Sequence, residues 1–144
     1  MAGSTEVHEL YIRTTPGQLW TAITDPAWTS RYWYGAFNRS GWQPGDRWLS
    51  ESADGEVYLE GEIVAADPPN GLAHTFHVVH EAEAAADPPS QVSWEIDSVG
   101  EACHLVLTHS GLGEATAEYI AGGWAYILSG LKTLLETGRP LEIG

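Results

Sequence analysis

The C-terminal segment constrains this chain most. From Glu114 to Thr137, apolar residues stand at Ile120, Trp124, Ile127, Leu128, Leu131, Leu134 and Leu135, which is helical spacing on one face. Gly138 followed by Pro140 is a stop signal. About 23 residues rising 1.5 Å each predict one helix of roughly 35 Å. A stripe of that length must be buried, and the rest of the chain has to supply the surface.

That surface reads as a sheet. Glu6–Arg13 alternates as a strand, His8, Leu10 and Ile12 against Val7, Glu9 and Tyr11. Thr15-Pro16-Gly17-Gln18 then carries a cap, a first-turn proline and a capping-box side chain. Asp25-Pro26 repeats the signal and opens a second short helix through Trp33. Beyond it the pattern is strand and turn. Strands are expected over Gly35–Arg39, Arg47–Ser52, Val57–Ala66, Leu72–His80, Gln91–Val99 and Cys103–His109. Turns fall at Pro44-Gly45-Asp46, Ala53-Asp54-Gly55, Asp67-Pro68-Pro69-Asn70-Gly71 and Gly100. Short connections make neighbouring strands antiparallel. The acidic, alanine-rich run Glu81–Ser90 reads as an exposed hairpin loop. The expectation is an α+β domain over residues 1–144: a seven-stranded, strongly curved antiparallel sheet around a long C-terminal helix, with two short helices after the first strand. The space between sheet and helix is either a closed core or a pocket.

Charge narrows the partners. Asp and Glu number 20 against 6 Lys and Arg, a formal charge of −14. Such a surface repels phosphate backbones and anionic lipid headgroups, so neither nucleic acid nor membrane is expected as a partner. Cys103 is the single cysteine, so no internal disulfide forms. The N-terminus lacks a secretory pattern, and no apolar run approaches the roughly 20 residues of a membrane span. The expected location is the cytoplasm.

Four separated stretches carry a family resemblance: TTPGQLWTAITDPAWTSRYW, YLEGEIVAADPPNGLAHTF, SWEI with CHLVLTHSGLG, and GGWAYILSGLKTLLETGRPL. In this order, from about Val7 to Leu141, they resemble the START-like, birch-pollen-allergen-like proteins of the SRPBCC superfamily. Within it they are similar to the branch named after the activator of the heat-shock-protein-ninety ATPase, the AHSA-type domain. The resemblance implies the helix-grip fold. By branch it also implies small hydrophobic ligand binding, polyketide cyclisation, lipid transfer or co-chaperone work. The chain departs from the pattern at Ala73-His74, where relatives often carry an aromatic or aliphatic pair, and at Phe76, where many carry Trp.

The residues that can carry chemistry are histidines and aromatics. In the strand Leu72–His80, Leu72, His74, Phe76, Val78 and His80 share a face, so an inward Phe76 brings His74 with it. His74 is then either a hydrogen-bonding or acid–base group in a cavity, or a satisfied core histidine. His109, in phase with Leu105 and Leu107, is either a polar anchor at the cavity rim or a bond that fixes the strand-to-helix turn. His77 and His80 point to opposite faces of a strand, and His74 and His80 lie about 20 Å apart at strand rise, so no metal site is expected. Gly111-Leu112-Gly113 fails the dinucleotide fingerprint, and no cofactor is expected.

Seven Trp and six Tyr are many for 144 residues. They form either a packed core or the wall of a pocket for a flat apolar molecule. Trp33 and Phe37 are placed near the mouth. Phe76, Trp94, Ile120, Trp124 and Ile127 are placed inside, with His74 and His109 as polar groups. Gly122 and Gly123 within the helix pattern suggest that space is wanted there, since each disfavours helix by about 1 kcal/mol relative to Ala.

Three functions compete. The first is binding of a small hydrophobic or aromatic ligand between sheet and helix. The second is a cyclase- or hydrolase-like enzyme using His74, His109 or Tyr126. The third is a co-chaperone, although the eukaryotic activators of the resembling branch carry a second domain. A homodimer stays open.

Overall fold

The computed structural model describes residues 3–142. Seven strands form one sheet: β1 (Ser4–Ile12), β2 (Phe37–Ser40), β3 (Arg47–Glu51), β4 (Val57–Asp67), β5 (Gly71–Val78), β6 (Ser90–Val99) and β7 (Ala102–Leu112). Their order across the sheet is β1-β7-β6-β5-β4-β3-β2, with every pair antiparallel. From β2 to β7 each strand lies beside its predecessor, as short turns require. β1 closes the far side against β7. Register shifts fall between Ser4 and Glu6, Ser50 and Glu51, and Ile63 and Ala65. Such irregularities bend and twist a sheet, here into a concave surface.

Two short helices follow β1. In α1 (Pro16–Thr24), Thr15 caps the free amides by accepting from the Gln18 N–H, and Pro16 occupies the first turn. In α2 (Pro26–Thr29), Asp25 does the same for Ala27. The second helix is shorter than its sequence suggests. It ends at Thr29, and Tyr32 and Trp33 continue as turns bonded to the Thr29 carbonyl.

The long C-terminal helix is a correction. It is divided into α4 (Glu114–Ile120) and α5 (Gly123–Thr137), with Gly122 between them at φ +77°. That is the left-handed region, where a side chain is strained and glycine is not. No atom stands within 4 Å of where a Gly122 Cβ would be, so conformation rather than close approach explains this glycine. The stripe survives the break. Trp124, Ile127, Leu128, Leu131 and Leu134 of α5 are all buried against the sheet. Gly138, at φ +78°, ends the helix by donating to the Leu134 carbonyl.

Glu81–Ser90 is also a correction. It contains a short helix, α3 (Ala82–Ala85), capped by the Glu81 carboxylate on the Glu83 and Ala84 amides. Ala84 is fully buried, and Asp87 accepts from both the backbone N–H and the hydroxyl of Thr116 at 2.8 Å. The segment is thus tied to α4 rather than extended into solvent. Its acidic composition concealed two backbone caps.

Candidate functional site

A cavity of about 500 Å³ remains between sheet and helices. Ser50, Tyr58, Leu59 and Phe76 form its sheet wall. Trp33, Tyr34 and Ala36, from the turn after α2, form a second side. Tyr119, Ile120 and Ala121 at the end of α4, with Gly123, Trp124 and Ile127 at the start of α5, form the third. His80 completes the lining just past β5. The helix break therefore lies on the cavity. Tyr34 and Tyr119 are substantially exposed and mark its mouth, while Trp33, Phe76 and Trp124 are buried at its inner end.

Five residues expected there line it: Trp33, Phe76, Ile120, Trp124 and Ile127. Phe37, His74, Trp94 and His109 do not appear in the lining. Phe37 is placed on the opposite face of β2 from buried Asn38, and its ring lies under the Arg39 guanidinium at 5.3 Å. The strand phase follows Ala36 and Asn38 rather than the larger side chain. Trp94 and His109 stand directly behind the wall, and His74 lies beyond Trp94. Trp94 lies 6.3 Å from Trp33 and 5.8 Å from Trp124, centroid to centroid. His109 lies 4.6 Å from Phe76.

Both histidines have their ring nitrogens occupied. The Trp94 indole N–H donates to His74 Nε2 at 3.1 Å, and His74 Nδ1 donates to the Thr75 carbonyl at 2.9 Å. The Trp124 indole N–H donates to His109 Nδ1 at 2.9 Å, and His109 Nε2 donates to Ser90 Oγ at 2.7 Å. Ser90 in turn donates to the Phe76 carbonyl at 3.2 Å. A ring that accepts at one nitrogen and donates at the other is neutral. Burial pushes both imidazoles down to about 4, with the nearby His74 and His8 adding to the effect at His109. His74 thus takes the satisfied-core alternative. His109 is fully buried behind the wall rather than at the rim.

Sequence reasoning missed Ser50, Tyr34 and His80. Ser50 had a readable signal, because it shares the inward phase of Trp48 on β3. His80 did not. β5 ends at Val78, so the strand phase assigned to His80 does not apply, and the ring instead packs edge-on against Tyr58 at 4.8 Å with Nδ1 3.1 Å from Glu56. Tyr58 and Tyr119 were visible as aromatics but not as mouth residues. Burial, Glu81 and Tyr58 raise the Tyr119 phenol above its ordinary pKa, and burial with Tyr126 does so for Tyr34. Among the described residues no carboxylate, lysine or arginine lines the cavity. Among the described residues no group of three or more His, Cys, Asp or Glu is placed to hold a metal ion. No helix among them is long and apolar enough to cross a membrane.

A seven-stranded antiparallel sheet curved around a C-terminal helix, with two short helices after the first strand, defines the helix-grip class. Residues 13–136 match the family described as activator of Hsp90 ATPase homolog 1-like protein, and the chain belongs to that family. A search among curated proteins gave no match. Solved structures similar to the chain include a protein of Mesorhizobium loti, 25% identical, with a TM-score of 0.75, covering 92% of this chain and 96% of its own. An Hsp90 activator from Plasmodium falciparum is 21% identical with a TM-score of 0.77, over 96% of this chain and 99% of that one. The Aha1 dimer of Colwellia psychrerythraea is 18% identical with a TM-score of 0.72, over 94% and 98%. The latter two establish likeness of fold.

Proposed function

We propose that this protein binds a small hydrophobic or aromatic molecule in the cavity between the sheet and α4–α5. The observation that carries this reading is the hollow itself. Protein interiors are close-packed, and a void larger than a few waters is unusual. Here about 500 Å³ persists as a cleft that opens at Tyr34 and Tyr119 and reaches inward to the buried side chains of Trp33, Phe76 and Trp124. The volume falls within the roughly 300–1,000 Å³ of small-molecule sites, and the lining is mostly apolar and aromatic with a few polar groups, as in such sites.

The enzymatic alternative has less support. It needs two polar groups converging on one reacting atom. His74 and His109 are each bonded at both nitrogens and lie behind the wall, and Tyr126 is stacked on Tyr34 at 4.5 Å. For co-chaperone work, the name of the Plasmodium relative is the supporting observation, at an identity that carries fold alone. The dimeric Colwellia relative makes a second copy of the chain a further partner to consider.

The test is a screen of flat apolar compounds by tryptophan fluorescence and thermal shift. Trp33 and Trp124 line the cavity, so a bound ligand changes their emission. Saturable quenching with a matching rise in melting temperature is expected. Absence of both across the screen removes this reading.

A further inference from the structure

At the sheet wall of the cavity stands one polar atom without a partner. Ser50 is 1% exposed and lines the cavity, and its Oγ has no hydrogen-bond partner among the described residues. Its cross-strand neighbour is Asn38, which is 2% exposed and whose Oδ1 also lacks a partner among them. Directly opposed residues of an antiparallel pair point to the same face. Two orphaned polar groups are therefore adjacent on the concave side of β2 and β3. Leaving a buried polar group unpaired destabilises a fold, and native structures contain few.

The polar surroundings also select for charge. Among the described residues no lysine or arginine lines the cavity to receive a carboxylate. The rim carries Glu56 beside His80 and Glu81 beside Tyr119, within a chain of formal charge −14. Asn38 does not itself line the cavity, so at this part of the sheet wall a carboxylate meets only the single O–H donor of Ser50. A hydroxyl differs, because it both donates and accepts. Around the buried end, Trp33, Phe76 and Trp124 supply flat aromatic surface.

Resting on the binding function proposed above, we infer that Ser50 is the specificity-determining hydrogen-bond partner in this cavity, and that the ligand is a neutral planar aromatic molecule with a hydroxyl group at its buried end. The ligand completes the hydrogen bonding that the Ser50 hydroxyl lacks in the free protein.

Three matched probes test this: naphthalene, 2-naphthol and 2-naphthoate, titrated by calorimetry into the wild-type protein and into Ser50→Ala and Ser50→Thr. In the wild type, 2-naphthol binds about five- to tenfold more tightly than naphthalene, the worth of one hydrogen bond. The naphthoate binds at least tenfold more weakly than the naphthol. In Ser50→Ala the naphthol advantage disappears while naphthalene affinity is kept, and Ser50→Thr restores the advantage. The ligand-free Ser50→Ala protein melts no lower than wild type, because it loses an unpaired polar group. Equal binding of naphthol and naphthalene to the wild type overturns the inference but leaves cavity binding standing. So does a naphthol advantage that survives Ser50→Ala, preferred naphthoate, or a melting temperature that falls in Ser50→Ala. No saturable binding of any probe overturns the inference and the binding function together.

Discussion

The indole of Trp124 donates to His109 across the interface between α5 and β7 at 2.9 Å, both side chains being buried. One face of Trp124 thus forms the cavity wall while its N–H is anchored to the sheet. Trp94 and His74 repeat the arrangement between β6 and β5 at 3.1 Å. Two of the aromatic rings around the hollow are therefore fixed by polar bonds, which positions them without filling the space.

His109→Leu leaves the Trp124 indole N–H without its partner, while Ser90 keeps its bond to the Phe76 carbonyl. Each buried polar group left unpaired costs about 1–3 kcal/mol. Urea unfolding is expected to show a loss of about 1–3 kcal/mol, with reduced affinity for any cavity ligand because Trp124 loses its anchor. A variant as stable as the wild type would show that packing alone holds this ring.

The same burial sets a pH dependence. His74 and His109 are held down to about 4 in the folded protein, below the 6.5 of an ordinary histidine. Below pH 6.5 the unfolded chain takes up protons that the folded chain refuses. This contribution to stability is complete above about pH 6.5 and is lost as pH falls toward 4, at up to about 1.4 kcal/mol per pH unit for each ring. Denaturant midpoints between pH 7 and 4.5 measure the slope. Imidazole NMR shifts are expected to show both rings still neutral at pH 5.

Gly122→Ala tests the helix break. The Cβ meets no neighbour, so its effect is confined to the left-handed backbone at φ +77°. A loss of about 1–2 kcal/mol is expected, and Gly122→Asn is expected to lose less because asparagine tolerates this region better. Stabilisation by alanine would instead mean that α4 and α5 join readily into one helix.

That break marks how far the sequence was legible. Strand order in the chain, the Thr15 and Asp25 caps and the α5 stripe all follow from local patterns, and local patterns are written in neighbouring residues. Gly122 was visible as a glycine, but its left-handed φ depends on where α4 is tied down, and the tie is Asp87 on Thr116, 29 residues apart. The site divides similarly. Trp33, Phe76 and Trp124 follow from size and phase. Phase turned His74 inward, whereas His109 was expected at the rim and is buried behind the wall; the satisfaction of both by indole N–H groups joins residues 20 and 15 positions apart, on different elements. Phe37 was expected at the mouth together with Trp33, whereas burial of Ala36 and Asn38 turns it to the other face of β2.

Ala36→Leu separates a hollow from a filled core. Ala36 is 2% exposed, and its surroundings include the cavity. In a close-packed interior, added methylenes force side chains off their preferred rotamers and destabilise by about 1–3 kcal/mol. In this protein the larger side chain has the hollow to enter, so it buries apolar surface without displacing Trp33 or Phe76. The expected outcome is a melting temperature equal to or above that of wild type, together with at least a tenfold loss of affinity for naphthalene. A lowered melting temperature would mean that the wall is already packed at this position, and undiminished naphthalene affinity would place the bound molecule elsewhere. The two readings are independent, so stability reports whether there is room and affinity reports whether that room is where the ligand sits.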